Sequence, residues 1–332
     1  MHRIIGILLV SLFVLSACRS GGQKDDFSQR PVKVFRYDRL QYEATVLNSV
    51  AAQQKMNIEC PRATKLLIED VLGIGAVDDP DINDRLNAYY SDSILVRLMD
   101  DVIEKFKDLT GIEEELTKGF ENLKKEIPSV PVPRIYSQIS ALNQSVVVGD
   151  SLLGFSLDKY MGQDYPLYKK YYYSFQRRWM VPERIVPDCF TFYLLSQFPF
   201  QWREGHRTLF DFMVYRGKIG WVVEHILQSD YSGRLTLGYT REELNWCRKH
   251  EEALWKELSR KRYLERTDPM LIRSYTYAEQ VLSFKGDKMP PCIGIWLGMQ
   301  LVDKYMKSNQ RLTAKDLLEK TDFSDLLPLV KH

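Results

Sequence analysis

Three prolines within six residues, Pro128, Pro131 and Pro133, constrain this chain more than any other stretch. Proline has no amide N–H to give to a helix or a sheet ladder, and its ring fixes φ, so the chain must change structural type there. Upstream, from Asp38 to about Lys125, apolar residues recur at helical spacing. Leu40, Val46, Leu47, Val50 and Ala51 form one set, Leu66, Leu67, Val71 and Leu72 follow Pro61, and Leu95, Leu98, Met99, Val102, Ile103 and Phe106 lie within Ile94 to Phe106. Downstream, Ile135 to Ser140, Ser145 to Val148 and Leu152 to Leu157 are short runs with β-branched or aromatic residues. Asn143-Gln144 and Gly149-Asp150 divide them, which predicts two or three antiparallel strands with tight turns.

Helical signals then return at Glu183, over Arg207 to Leu227, and from Cys292 to Met306. A capping box spans Thr240 to Glu243, Asp268-Pro269 is a helix start, and Thr313 with Asp316 forms another cap. The expected fold is therefore α+β and mainly α: a helical N-terminal region over 31–127, then an α+β domain over 128–332 with a small antiparallel sheet.

The first residues predict a lipoprotein leader over 1–17. Met1-His2-Arg3 supplies the positive start, Ile4 to Leu15 the apolar segment, and Ser16-Ala17 the small residues before Cys18. The apolar run is too short for a membrane span, which needs about 20 residues. Cys18 is the expected lipidation site. Acyl chains there contribute roughly 0.8 kcal/mol per buried CH₂, and two or more give stable anchoring. Residues 18–30 are polar, small and charged, as a flexible tether requires. Arg19 stands where inner-membrane lipoproteins commonly carry Asp, and Lys24-Asp25-Asp26 is similar to short acidic surface-export signals. Both favour the outer membrane, on its periplasmic face or at the cell surface.

With 46 basic and 44 acidic residues the formal charge is only +2, and removing Arg3 with the leader lowers it to about +1. That lacks the basic excess of a nucleic-acid binder, so no nucleic-acid partner is expected. No CxxC, G-x-S-x-G, GxxxxGK[ST] or GxGxxG pattern occurs. With Cys18 lipidated, Cys60, Cys189, Cys247 and Cys292 allow three pairings or none. His206, His225 and His250 show no spacing that argues for a shared metal, so no metal and no cofactor are expected.

Two stretches are candidate sites. In Met180 to Cys189, Pro182 and Glu183 suit the start of a helix, while Pro187 should interrupt it and leave a kink or a very short first turn. Glu183, Arg184 and Asp188 gather there, and Glu183 with Asp188 could serve as an acid/base pair or stand on a plain helix terminus. The second stretch holds Tyr168, Tyr171, Tyr172, Tyr173, Arg177, Arg178 and Trp179, the composition of interaction hot spots, or of rings lining a core beneath solvated cations.

The string Met180-Val181-Pro182-Glu183-Arg184-Ile185-Val186-Pro187-Asp188-Cys189, preceded by Gly154 to Gly162 (GFSLDKYMG), closely resembles the gliding-motility lipoprotein GldB family. Further matching segments are Phe35-Arg36-Tyr37-Asp38, Tyr215-Arg216-Gly217-Lys218-Ile219, Gly238-Tyr239-Thr240, Leu244-Asn245-Trp246-Cys247 and Gly294-Ile295-Trp296-Leu297-Gly298. The resemblance implies an outer-membrane-associated lipoprotein of an apparatus that shares parts with a secretion machine. Its partners would be the membrane, through Cys18, and other envelope, gliding or secretion proteins.

A more distant likeness is to predicted zinc peptidases, in which a strand pair precedes an H-E-x-x-H helix and a Glu-Gly pair follows. It implies a degenerate zincin-type body. Glu183 matches the general base, but Pro182 and Val186 stand where the two histidines belong, and Arg216-Gly217 where the Glu-Gly pair belongs. Zinc catalysis needs three ligands and an open position, so the likeness implies a non-catalytic binding or assembly component. Arg216 is then a candidate partner for Glu183. The alternative is a divergent hydrolase using Glu183 and Asp188.

Overall fold

The proline-rich stretch separates the last helix of the first half from the first strand of the second. In the computed structural model, which describes residues 31–201, 207–278 and 282–331, helix α6 (Thr110–Glu126) ends before Pro128, and strand β2 (Arg134–Gln138) begins after Pro133. Upstream lie β1 (Val34–Arg36), α1 (Tyr37–Thr45), α2 (Val50–Glu59), α3 (Pro61–Lys65), α4 (Ile82–Tyr90) and α5 (Ser93–Lys105). Local chemistry explains these starts and stops. The Asp92 carboxylate caps α5 by accepting from the Ile94 and Leu95 amides at 2.8 and 3.3 Å, and the helix buries Leu98, Met99 and Val102 on one face. The winding after α3 widens over Leu66–Leu72 and stops at Gly73, whose φ of 62° suits glycine. The expected leader, tether and lipidation site Cys18 lie outside the described residues, as does His206.

The sheet differs from the expected antiparallel one: it is mixed, in the order β1-β2-β4-β3. Strands β3 (Val146–Gly149) and β4 (Leu152–Ser156) form the antiparallel hairpin, but β4 lies parallel to β2, with Tyr136 opposite Gly154. The reason is positional. β3 sits outside β4, so the chain reverses twice before β4 reaches β2. β1 then adds parallel to β2, with Phe35 opposite Tyr136, because α1 to α6 supply the long crossover a parallel pair needs. Gly154 leaves room for the ring of Tyr136, which a Cβ there would strike.

The second half continues with α7 (Pro166–Tyr171), α8 (Ser174–Arg177), α9 (Ile185–Gln197), α10 (Leu209–Ile226), α11 (Arg234–Leu237), α12 (Arg241–Arg260), α13 (Pro269–Thr276), the short pair β5 (Ser283–Phe284) and β6 (Asp287–Lys288), α14 (Ile293–Ser308) and α15 (Ala314–Glu319). The capping boxes at Thr240 with Glu243 and at Thr313 with Asp316 form as their spacing requires, and a third joins Thr208 to Asp211. At the centre, α10 is buried on nearly every side, as apolar residues distributed all round its circumference demand. It crosses α14 where Gly217 meets Gly298, and a Cβ on Gly298 would fall on the Met213 carbonyl. No helix among the described residues is long and apolar enough to cross a membrane.

Candidate functional site

The Met180 to Cys189 segment meets the sheet through the stretch Gly154 to Gly162, which follows β3 and begins within β4. Gly162, at φ 105°, donates its amide to the Met180 carbonyl at 2.9 Å. The buried Asp158 carboxylate accepts from the Ser140 and Leu142 amides at 2.9 and 2.6 Å, holding the turn before β3. Burial pushes its pKa up, while those amides and nearby Lys159 oppose the rise.

Pro187 has the effect its ring predicts. Residues Pro182–Arg184 wind as a tight turn, and α9 begins only at Ile185, placing Pro187 in the first helical turn, where an absent N–H costs little. This geometry turns Glu183 outward to solvent and Arg184 and Asp188 inward. Arg184 forms an ion pair with Asp188, and its other arm donates to the Leu235 carbonyl at 2.5 Å. The Tyr160 hydroxyl donates to Asp188 at 3.0 Å. Burial raises the Asp188 pKa, and Arg184 and Tyr160 pull against it.

Arg184 and Asp188 line a cleft of about 390 Å³ between α9, α10 and the first turn of α14. Arg216, from α10, lines it too, but Glu183 does not, so the expected Glu183–Arg216 pair is absent. Among the described residues the Arg216 side chain has no hydrogen bond or ion-pair partner. Tyr172, Phe175, Trp179 and Phe192 form much of the wall. Cys292 stands at the start of α14 with φ 58°, an uncommon conformation for a side-chain-bearing residue. Burial pushes its thiol up to about 11, although the guanidiniums of Arg216, Arg178 and Arg184 all favour its thiolate.

The aromatic and basic stretch is divided by the fold. Tyr168 is fully buried; its hydroxyl donates to the Asp158 carbonyl and accepts from the Met161 amide at 2.9 Å. Tyr172 donates to the Leu142 carbonyl at 2.8 Å and also meets Lys159. Arg177 reaches the Gln163 carbonyl, and Arg178 makes a bidentate pair with Glu243 at 2.8 and 2.6 Å. Trp179 donates to the Leu237 carbonyl at 2.8 Å. Only Tyr171 and Tyr173, 53% and 72% accessible, stand mainly in solvent.

Several groups escaped the sequence reading as site components: Tyr160 and Cys292 in the cleft, and Lys218 elsewhere on α10. A buried cation in a mainly apolar helix was the available signal for Lys218, whereas nothing local marks Tyr160. His225 stacks on Trp221 and meets Glu126 at 3.2 Å, and His250 packs against Trp246. Among the described residues no group of three or more His, Cys, Asp or Glu side chains could hold a metal ion, and Cys60, Cys189, Cys247 and Cys292 are unpaired.

A family model described as gliding motility protein GldB matches residues 21–331. No curated protein matches the chain, and no solved structure does.

Proposed function

Since the chain belongs to the gliding motility protein GldB family, we propose that it is a non-catalytic binding component of a cell-envelope complex serving gliding or the associated secretion system. In this reading Cys18 carries the lipid anchor, the body sits at the outer membrane, and the cleft receives part of a partner. The observation that carries the reading is Arg216, a cation that lines the cleft with no hydrogen-bond or ion-pair partner among the described residues. A guanidinium repels a divalent cation and recruits an anion instead.

The alternative hydrolase needs Glu183 and Asp188 to face one substrate. Glu183 is exposed outside the cleft, and Asp188 is engaged by Arg184 and Tyr160, so neither is poised for proton transfer to a shared atom.

The test is replacement at the native locus in a cell whose gliding or envelope assembly depends on the protein. Glu183→Gln removes an exposed carboxylate at little structural cost and should leave the phenotype intact. Abolished function at normal protein level would sink the non-catalytic reading. Cys18→Ser should move the protein from the membrane to the soluble fraction and end its labelling by palmitate; continued membrane residence would refute the anchor.

A further inference from the structure

The charge arrangement of the cleft specifies more than binding. Of its three cations, Arg184 is neutralised by Asp188, and Lys159 sits beside Asp158 and donates to the Leu142 carbonyl and the Tyr172 hydroxyl, both at 3.0 Å. Arg216 alone has no partner among the described residues. Two further polar atoms of the lining, Thr191 Oγ1 and Arg184 Nε, are buried with no hydrogen-bond partner. Buried polar groups are almost always satisfied, and orphans in one cavity mark groups that a ligand can meet.

The start of α14 adds its partial positive charge to the same wall, and no side chain caps it at Cys292. At the mouth, Phe192 and Tyr277 expose 41% and 49% of their surface, so apolar rings meet solvent where a ligand would enter. The volume of about 390 Å³ falls within the usual range for small-ligand pockets.

We propose that this cleft is a receptor for a single carboxylate carried on an aromatic or apolar body, with Arg216 as its bidentate partner. The proposal rests on the binding reading above and names the chemistry of what is bound. One uncompensated guanidinium matches one negative charge in a planar fork. A phosphate monoester, with nearly two charges, would bring an excess that nothing in the lining balances. The aromatic walls take the body, and Thr191 supplies a hydroxyl to a polar atom beside the carboxylate. Such a carboxylate is available from the free C-terminus of a polypeptide or from a free organic acid.

Calorimetric titration of the full-length protein in detergent, with three probes, tests this. The probes are N-acetyl-Ala-Ala-Phe with a free carboxylate, the same peptide as its C-terminal amide, and 3-phenylpropionate. The free-acid peptide should bind at least about tenfold more tightly than the amide, the size expected for a charge-assisted hydrogen-bonded pair. Arg216→Gln should remove that difference, and Arg216→Lys, which keeps the charge but not the fork, should retain part of it. Tighter binding of the peptide acid than of phenylpropionate identifies a chain terminus as the source, and equal binding a free acid. Either result supports the receptor.

Equal affinity for acid and amide, or unaltered discrimination in a folded Arg216→Gln protein, overturns the proposal. So does absence of binding by both acids at millimolar concentration. If Arg216→Gln fails to fold, the acid–amide comparison on the native protein decides. Because this readout is binding alone, its failure leaves the Glu183→Gln phenotype to judge the broader reading.

Discussion

Lys218 is 3% accessible on α10, between the rings of Tyr215 and Phe323, and donates to the carbonyls of Leu318 and Lys320 at 2.7 and 2.6 Å. It fastens the end of α15 and the residue that follows it to the central helix. Burial, with Lys320 nearby, pushes its pKa from 10.5 down to about 7. The sign of the linkage follows. Between about pH 7 and 10.5 the unfolded chain keeps a proton that the folded chain has released, so stability rises with pH across that window. Relative to Lys218→Met, the native protein should gain roughly 3 kcal/mol between pH 7 and 9.5. Denaturant melts of both proteins at the two pH values measure it, and parallel pH dependence would show Lys218 staying charged throughout.

At the scale of elements, the crossing of α10 and α14 depends on two glycines. A Cβ on Gly217 would meet the Met299 amide nitrogen at 2.6 Å, and one on Gly298 would overlap the Met213 carbonyl; both are backbone atoms that cannot turn aside. Gly298→Ala should therefore destabilise by about 3 kcal/mol or more, at the upper end for overpacking. Gly111→Ala, in the open first turn of α6 with nothing within 4 Å, should stabilise by about 0.5 kcal/mol through chain entropy. Thermal melts of the pair separate packing from propensity.

Much at this scale was legible beforehand. The caps at Thr240 and Thr313, the start at Asp268-Pro269 and the break at Pro128 to Pro133 all act within a few residues of themselves. β1 and the parallel pairing of β2 with β4 were not legible, because they depend on partners about a hundred residues away or on which side a hairpin folds. The site divides in the same way. Arg184 and Asp188 pair across one helical turn, but the meeting of Arg216 with them, and the outward turn of Glu183, arise from how α9 and α10 pack. The ties of Arg178 to Glu243 and of Trp179 to Leu237 likewise span about 60 residues.

Across the whole molecule, the two sides of the proline break share one framework. Residues 31–332 fold as one compact unit, and the links between the sides are buried and polar as well as apolar. The Asp38 carboxylate accepts from Arg36 at 2.9 and 2.7 Å and from the Ser137 hydroxyl at 2.5 Å, tying α1 to β2. Gln41 accepts from the Ile139 amide at 2.8 Å, and the Tyr90 hydroxyl donates to the Ile139 carbonyl at 2.7 Å. Phe120 of α6 packs against Phe190 of α9, ring centres 4.7 Å apart.

Removing residues 31–127 would therefore strip β2 of its β1 neighbour, leave the Ile139 backbone groups without these partners and expose the apolar face of α9. Each buried group left unsatisfied costs about 1–3 kcal/mol, against a total stability of only about 5–15 kcal/mol. A fragment beginning at residue 128 should show no cooperative unfolding. The intact chain offers a sharper test, because all six tryptophans lie at or beyond Trp179. Tryptophan fluorescence thus reports only the second half, while far-ultraviolet circular dichroism reports helices in both. If the halves are one cooperative body, the two unfolding curves coincide in midpoint and slope. A dichroism transition preceding the fluorescence transition would mean that the helical half unfolds on its own, leaving the cleft standing without it.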